Sequence, residues 1–304
     1  MKICVIAVNK TDYAPQRLIQ EGLKRGHEMY LTTWNSLHVN IGDLELYIGD
    51  LNKNILDFDA ILPRSPRFTI QKNGEKTAYR LGTILRLIIQ IAKKEKIFVL
   101  NSNFFSSYQS IDKVAQQFLL KENNIPGLDT CFATSVASNS IYRNFGFPLV
   151  VKTVQGSLGK GVFKVHNKKE LDRLVQSHTA KGSSLLFQKY YKITADYRVL
   201  VIGKKAIGAI KRSATGEEWR TNVSLGGVPT PVSTGERKKL YTLAQQVAHK
   251  AGLDYAGIDI LQDEKVFRVI EINSLAQFQG FEKVLQNINV AEAIIKLAEK
   301  NGAR

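Results

Sequence analysis

The chain has 304 residues, of which 44% are hydrophobic and 23% carry a charge. This length is too great for one small core and predicts two or three lobes, and the composition excludes an intrinsically disordered protein. Lysine and arginine number 43 against 27 acidic residues, a formal net charge of +16, which favours nucleotides, acidic proteins or nucleic acid as partners. The basic residues are scattered and form no stripe with interleaved aromatic residues, so nucleic acid is the least favoured of the three.

Neither a membrane nor an oxidising environment is predicted for this chain. No apolar run approaches the ~20 residues that a membrane span requires, and the apolar run at residues 1–8 is too short for a signal peptide. The two cysteines, Cys4 and Cys131, have no partner at metal-ligand spacing, and the five histidines show neither ligand nor triad spacing. We therefore expect a cytoplasmic protein.

The first hundred residues alternate predicted strands with predicted helices. Apolar runs predict strands at 2–8, 28–34, 44–48, 59–64 and 98–101, and helical periods predict helices at 15–24 and 77–93. Such alternation is typical of a small α/β domain with a parallel sheet.

The rest of the chain is richer in predicted strands, and it ends in a hairpin of 257–261 with 269–273. Other strands are predicted at 130–133, 147–152, 162–165, 184–188, 197–202 and 205–211, and helices at 110–121, 168–176, 236–251 and 291–300. The predicted fold class is α/β and α+β, with a parallel-sheet domain at 1–105 and two further lobes at 106–189 and 190–304.

The final hairpin carries acidic side chains inside apolar strands. Asp259 lies in one strand, and Glu271 and Asn273, two residues apart on the next, share a face. A charge in a buried strand is costly unless something neutralises it. Three converging oxygen side chains suit Mg²⁺, which keeps coordination positions for water and phosphate oxygens. The alternative is a hydrogen-bonded polar trio, or charges on a solvated face of the sheet.

A glycine-rich segment follows the predicted strand that ends at Lys152. Glycines at 156, 159 and 161 allow positive φ angles and the close approach of an anion, and the lysine adds a positive charge beside it. Neither a P-loop nor a dinucleotide-binding fingerprint is present, because a strand rather than a helix is predicted next. An ordinary hairpin turn is the alternative.

Further polar positions follow the predicted strands or open a helix. Gln188-Lys189-Tyr190 closes a strand with groups able to bind an adenine edge, and Asp196 follows it with a carboxylate suited to ribose. Arg212 and the run Arg220-Thr221-Asn222 offer donors for phosphate or carboxylate oxygens. Lys113 either contacts a phosphate or is only the first residue of a helix, with no special role. Taken alone, the alternative for the strand end at Gln188 is a surface segment with an Asp196–Arg198 pair, and the alternative for the arginines is solvated charge.

The order of these features resembles the ATP-grasp superfamily, and specifically the RimK-like carboxylate–amine ligases. The resemblance runs from about residue 59 to the C-terminus. It is carried by Asp112-Lys113, Phe147-Pro148-Leu149-Val150-Val151-Lys152, Gly156-Ser157-Leu158-Gly159-Lys160-Gly161-Val162, Gln188-Lys189-Tyr190, Asp196-Tyr197-Arg198, Arg220-Thr221-Asn222, Gly226-Gly227, Ala256-Gly257-Ile258-Asp259-Ile260, Glu271-Ile272-Asn273 and Gly280-Phe281-Glu282. It implies a pre-ATP-grasp domain at 1–105, followed by a two-lobed ATP-grasp body.

The resemblance also implies a set of nucleotide-binding positions. These are Lys113, Lys152, Gly156, Ser157, Gly159, Gly161, Gln188, Lys189, Tyr190, Asp196, Arg220, Thr221 and Asn222. The lysines would contact the ATP phosphates under a mobile lid at 156–161, and Lys189 and Tyr190 would offer backbone groups to adenine. Asp196 would hold the ribose, and Arg220 and Asn222 would hold phosphate and the forming acyl phosphate. Arg220 and Lys152 are the expected catalytic residues.

The metal and substrate positions come from the same resemblance. Asp259, Glu271 and Asn273 would bind two Mg²⁺ ions, with Mn²⁺ as a substitute, and Arg64 and Arg212 would face the substrate. After Asn273 the chain reads Ser274-Leu275-Ala276-Gln277-Phe278-Gln279, where the glutamate ligases of the family commonly carry a loop of small residues with Pro-Gly. This departure puts the identity of the acceptor in doubt.

The activity implied is ATP-dependent formation of an amide or peptide bond between a carboxylate and an amino acid, with glutamate one candidate. Transfer of the γ-phosphoryl group to the carboxylate gives an acyl phosphate, from which the amine displaces phosphate. The expected partners are a small amino acid, a carboxylate acceptor that is a small acid or an acidic peptide or protein, and a second copy of the chain. The alternative function is a nucleotide-binding regulatory protein that keeps the fold without turnover.

Overall fold

The protein is described here from a computed structural model. The structure describes residues 1–40, 42, 45–65, 67–72, 75–80, 82–108, 112–133, 145–154, 161–179, 184–193, 195–214 and 227–302. Among these residues, no helix combines the length and the apolar character needed to cross a membrane.

The first domain is built on a four-stranded parallel sheet. Its elements are β1 (Lys2–Ala7), α1 (Tyr13–Lys24), β2 (Glu28–Thr33), β3 (Leu37–Asn40), β4 (Glu45–Ile48), β5 (Lys53–Asn54), β6 (Ala60–Pro63), β7 (Arg67–Lys72), β8 (Glu75–Arg80), α2 (Gly82–Lys94), β9 (Phe98–Val99) and α3 (Ser102–Ser107). The parallel order β2-β1-β6-β9 confirms the predicted α/β domain, and β3, β4 and β5 form a separate small antiparallel sheet.

One predicted helix of this domain begins too early. The helix expected at 77–93 begins at Gly82, because residues up to Arg80 form β8, which pairs with β7 as an antiparallel hairpin. The reason lies in the local composition. Thr77 and Tyr79 favour a strand, and the helical apolar period begins only after them, with Ile84 and Leu85.

The central lobe is an antiparallel sheet of order β10-β13-β11-β12. Its elements are α4 (Lys113–Glu122), β10 (Thr130–Ala133), β11 (Leu149–Thr153), β12 (Val162–Val165), α5 (Lys168–Thr179) and β13 (Leu185–Lys189). Strand alternation directs Leu149, Val151 and Phe187 into a core shared with α5. The opposite face of the sheet therefore carries Lys152 and Gln188.

The C-terminal lobe contains the largest sheet, of order β16-β15-β14-β17-β18. Its elements are β14 (Ala195–Ile202), β15 (Lys205–Ser213), β16 (Val228–Pro231), α6 (Thr234–Ala251), β17 (Tyr255–Asp263), β18 (Val266–Asn273), α7 (Gln279–Val284) and α8 (Val290–Gly302). The predicted hairpin is confirmed as β17 and β18. One face of the sheet carries Val199 and Ile258 into the main core, and the opposite face is apolar at one end, around Leu200, and charged at the other.

A buried asparagine, Asn101, helps to join the first domain to this sheet. Asn101 adopts a left-handed conformation (φ 61°) after β9, and its Oδ1 accepts from the backbone N–H of Asp254 (2.7 Å) and Tyr255 (2.8 Å). Its Nδ2 donates to the carbonyls of Tyr255 (2.9 Å) and Ser274 (2.5 Å). Because Ser274 follows Asn273 directly, these hydrogen bonds fix the first domain beside the polar end of β18.

We expect Asn101→Gly to lower the free energy of unfolding by about 2–3 kcal/mol, because several buried backbone groups lose their partners. Asn101→Ala should cost about 1 kcal/mol more, since alanine is strained at positive φ and glycine is not. Urea unfolding of both variants measures this. A glycine variant within about 0.5 kcal/mol of the parent, the usual range of neutral surface changes, would contradict it.

Candidate functional site

The charged end of the C-terminal sheet is created by register. Across β14 and β15 Asp196 lies opposite Arg212, and across β14 and β17 Arg198 lies opposite Asp259. Asp259 in turn lies opposite Glu271 on β18. Side chains opposite one another in paired strands share a face, so these five residues form one polar band across four strands.

Two arginines hold the two aspartates of this band. Arg212 donates from Nε and Nη2 to both carboxylate oxygens of Asp196, at 2.7 and 2.6 Å, and its Nη2 lies 3.2 Å from Oδ2 of Asp259. Arg198 donates to Oδ1 and Oδ2 of Asp259, each at 2.7 Å. Asp196, Arg212 and Asp259 are buried, so these charges depend on one another for compensation.

The two carboxyl groups of the hairpin differ in their electrostatics. Burial alone would raise the pKa of Asp259, but the charges of Arg198 and Arg212 outweigh it and hold the pKa below its usual value. Burial, followed by the negative charge of Asp259, raises the pKa of Glu271, and Lys152 acts in the opposite direction. Asp259 is therefore a fixed carboxylate, and an added positive charge would favour ionisation of Glu271.

The donor set of this hairpin fits a magnesium ion. Among the described residues no three His, Cys, Asp or Glu side chains form a metal-binding group, so the hairpin offers two carboxylates and the amide of Asn273. Nδ2 of Asn273 lies 3.4 Å from Oδ2 of Asp259, and a half-turn of the amide would present its oxygen instead. Among the described residues, Oδ1 of Asp259 accepts a hydrogen bond from Arg198 and keeps a second lone pair. One or two carboxylates are typical of Mg²⁺ sites that also bind phosphate.

Two lysines, one on α4 and one on β11, approach Glu271. Lys113 is the first residue of α4, whose N-cap is Asp112, and its Nζ lies 3.3 Å from the carbonyl oxygen of Thr153. Lys152 is the penultimate residue of β11 and lies on the face opposite the core. Burial lowers the pKa of Lys152 to about 8, Glu271 acts to raise it, and Lys113 acts to lower it further. The structure thus brings Lys113, Lys152 and Glu271 together, which supports the predicted grouping.

The predicted adenine segment lies at the end of β13. Gln188 is buried and donates from Nε2 to Thr130 (2.9 Å), while its Oε1 has no hydrogen-bond partner among the described residues. The backbone N–H of Lys189 donates to the carbonyl oxygen of Asp129 (3.0 Å), and Lys164 lies over the ring of Tyr190 at 4.1 Å. Contacts of this segment with a nucleotide stay predictions.

The two arginines predicted to face the substrate are both buried. Arg212 belongs to the charged band described above, and Arg64 follows β6 with 3% of its surface exposed. Nη2 of Arg64 donates to the carbonyl oxygens of Leu275 (3.3 Å) and Ala276 (2.8 Å), so it anchors the segment that departs from the family pattern. Its Nε and Nη1 are buried without a partner among the described residues, and they are the donors available to an anion. Substrate contact by either arginine stays a prediction.

Several predicted positions cannot be placed. Gly156, Ser157 and Gly159 of the glycine-rich segment, and also Arg220, Thr221 and Asn222, lie outside the described residues. Gly161 is described, with φ 74°, and a Cβ there would lie 2.3 Å from Oγ1 of Thr153. Glycine is therefore required at position 161, directly before β12 begins.

Sequence reasoning gave no role to Arg198, or to Gln116 and Gln117 of α4. Arg198 was detectable, because it follows Asp196 by two residues and so shares its face. The glutamines had no such signal. Gln116 accepts from the backbone N–H of Ile272 and Gln117 donates to the carbonyl oxygen of Ile270, contacts that depend on how α4 packs against β18.

Comparison with protein families gives two matches along the chain. Residues 1–75 match the RimK PreATP-grasp domain, and residues 110–298 match the RimK-like ATP-grasp domain. The second match alone spans more than half of the chain. Together the two matches agree with the resemblance drawn from the motifs.

Relatives of known name are similar over the full length. A protein of Pseudomonas putida named "Probable alpha-L-glutamate ligase" is 30% identical over 306 residues, covering 99% of this chain and 96% of the relative. One from Shewanella denitrificans, named "Probable alpha-L-glutamate ligase 1", is 29% identical over 305 residues, covering 99% and 98%. The solved structure of the ATP-grasp ligase PsnB with a phosphomimetic variant of its minimal precursor, Mg and ADP has a TM-score of 0.73 at 18% identity, covering 99% of this chain and 98% of that one.

The neighbours of Lys152 predict how its pKa responds to substitution. Glu271→Gln removes a negative charge and should lower the pKa of Lys152 from about 8, whereas Lys113→Met removes a positive charge and should raise it. In each protein the ammonium form predominates below that pKa and is lost as the pH rises through it. NMR titration of the lysine side-chain signals, assigned with Lys152→Arg, measures both shifts. Shifts of the same sign in the two variants would contradict this arrangement.

Proposed function

Because the chain belongs to the RimK-like ATP-grasp family, we propose that it is an ATP-dependent carboxylate–amine ligase that works through an acyl phosphate. The fold and the full-length relatives support a ligase over a nucleotide-binding regulator without turnover. The observation that carries the proposal is the approach of Lys113 and Lys152 to Glu271, which lies opposite Asp259 on the hairpin of β17 and β18. A polyphosphate with a bound metal ion needs cations beside its phosphate oxygens and carboxylates beside the metal. The two lysines and the two carboxylates supply these groups.

We assign the phosphates to the lysines and the metal to the hairpin. Lys113 and Lys152 bind phosphate oxygens, and the phosphates restore the ammonium form of Lys152 by raising its pKa. Asp259, Glu271 and Asn273 hold Mg²⁺, as one ion or two, with Mn²⁺ as a substitute. When bound, the metal neutralises charge on the phosphate oxygens as the γ-phosphoryl group is transferred. Arg198 and Arg212 keep Asp259 ionised and oriented throughout.

The bond changes follow from the chemistry of carboxylates. A carboxylate oxygen attacks the γ-phosphorus, the bond to the ADP oxygen breaks, and an acyl phosphate forms. The amine nitrogen then attacks the acyl carbon, the bond to the phosphate oxygen breaks, and the amine gives up a proton as the amide forms. The lysines position the γ-phosphoryl group for the first step, and Arg220 is assigned to the acyl phosphate from the family motif. The reaction must exclude water, so a lid at 156–161 belongs to the same proposal.

The substrates are proposed at the level of chemical class. The names of the relatives make glutamate the first amino acid to test as the amine. For the carboxylate we propose an acidic peptide or protein, because a net charge of +16 attracts an acidic macromolecule. The unpaired Nε and Nη1 of Arg64 are suited to a carboxylate group of either substrate. Assembly into a homo-oligomer and a cytoplasmic location are further expectations.

Turnover is tested by ADP release with amino-acid and acidic-peptide pools, and products are identified by mass spectrometry. Glu271→Gln should reduce ADP release about a hundredfold or more, as is common when one charge-stabilising group is removed. Glu264→Gln is the matched control, because Glu264 is an exposed glutamate at the turn of the same hairpin. A rate in the Glu271 variant equal to that of the control would refute the assigned site. Nucleotide binding without turnover on any pool would favour the regulatory alternative.

The acidic-partner proposal predicts salt sensitivity. With an acidic peptide as substrate, KM should rise steeply as the ionic strength increases, because screening weakens attraction between separated charges. With a neutral peptide of equal length, KM should change little over the same range. Equal salt responses for the two peptides would remove the support for an acidic partner.

A further inference from the structure

The strand that carries Glu271 and Asn273 lies at the edge of its sheet. Among the described strands β18 pairs with β17 alone, and on its other side it makes an isolated parallel bridge between Val269 and Gly127. The pairs Asp259 with Glu271 and Ile260 with Val269 leave Ile270 as the extra residue of a β-bulge. Bulges re-aim the neighbouring side chains and interrupt the ladder. The backbone beside Glu271 therefore needs support from outside the sheet.

Helix α4 and the loop after it supply that support. Oε1 of Gln116 accepts from the backbone N–H of Ile272 at 2.8 Å, and Nε2 of Gln117 donates to the carbonyl oxygen of Ile270 at 3.3 Å. The backbone N–H of Val269 donates to the carbonyl oxygen of Pro126 at 2.8 Å. Side-chain amides thus take the place of a neighbouring strand on both sides of Glu271.

Each glutamine is itself held in place. Gln116 is 5% exposed, and its backbone N–H donates to the carbonyl oxygen of Asp112 at 3.0 Å. Oε1 of Gln117 accepts from the backbone N–H of Leu128 at 3.0 Å. A Cβ at position 127 would lie 2.6 Å from the same oxygen, so glycine at that position leaves room for the contact.

The same helix face carries Lys113. Residues 113, 116 and 117 are spaced i, i+3 and i+4 and therefore lie on one side of α4. One rigid turn thus bears the phosphate-binding ammonium group at its start and the two amides that fix β18 beside Glu271. The distance between the phosphate site and the metal site is set by this helix.

We infer that Gln116 and Gln117 are positioning residues for the metal site: they fix the bulged backbone of β18 so that Glu271 and Asn273 present their oxygens to the ion held opposite Lys113. This inference rests on the proposed function. In this role the glutamines act through the backbone on either side of Glu271. Removing such outer contacts should weaken metal binding more than nucleotide binding, because Lys113 and Lys152 remain.

The test is calorimetric measurement of ADP binding to the full chain, with and without Mg²⁺. Gln116→Met keeps the side-chain length and removes the acceptor. We expect the gain in ADP affinity that Mg²⁺ provides to fall about tenfold, as is typical when the outer partners of metal ligands are removed. ADP affinity without Mg²⁺ should stay unchanged. Hydrogen exchange at the amide of Ile272 should rise in the same variant, a readout that is independent of activity.

Two further variants make the result decisive. Phe118→Met introduces the same side chain on an exposed position of the same helix and should leave both affinities unchanged. Gln117→Met alters a half-buried residue, so it tests the support of β18 by α4 even if Gln116→Met fails to fold. In this variant the gain in ADP affinity that Mg²⁺ provides should fall by less than in Gln116→Met. An unchanged Mg²⁺ effect in the folded variants, or an equal loss of affinity with and without Mg²⁺, overturns the inference. Failure of the parent protein to bind ADP overturns the proposed function as well.

Discussion

The charged band of the C-terminal sheet is the constraint on which the site depends. Asp196 and Asp259 are 5% and 3% exposed, and neither could stay ionised there without compensation. Arg212 lies between them and pairs with both, and Arg198 adds a second pair to Asp259. A buried pair of this kind adds little net stability, but the loss of one partner leaves an unpaired buried charge. The band therefore fixes the geometry of Asp259 more than it stabilises the fold.

The remaining parts of the site are arranged around that fixed carboxylate. Glu271 lies opposite Asp259 and is positioned by a β-bulge in β18. Helix α4 supports this bulge from outside the sheet. Lys152 comes from a different sheet, and Asn101 fixes the first domain next to the end of β18. Helix α4, strand β11 and the hairpin of β17 and β18 are distant in sequence and meet at one place, as expected for a ligand that binds between lobes.

The strengths and errors of the sequence predictions have local causes. The hairpin of β17 and β18 was predictable, because its apolar residues alternate around Asp259 and Glu271 and a polar turn separates the strands. The helix predicted from residue 77 was wrong at its start, because a helical period beginning at Ile84 was extended back across a strand-forming stretch. The shared face of Glu271 and Asn273 followed from the two-residue period of a strand, and Asp259 joins them through the register of the hairpin. Arg64 was predicted at a strand end, but its hydrogen bonds to the segment after Asn273 were not predictable.

The amino-acid sequence by itself determined the order of the elements, the oxygen-bearing side chains of the hairpin and the lysines that accompany them. These features follow from periodicity within a strand or helix and from the spacing of motifs along the chain. Only the tertiary structure decided which charges neutralise one another and which side chains support the edge of β18. The physical reason is the range of the contacts: Gln116 and Ile272 are 156 residues apart, and a hydrogen bond between them leaves no local pattern in the sequence.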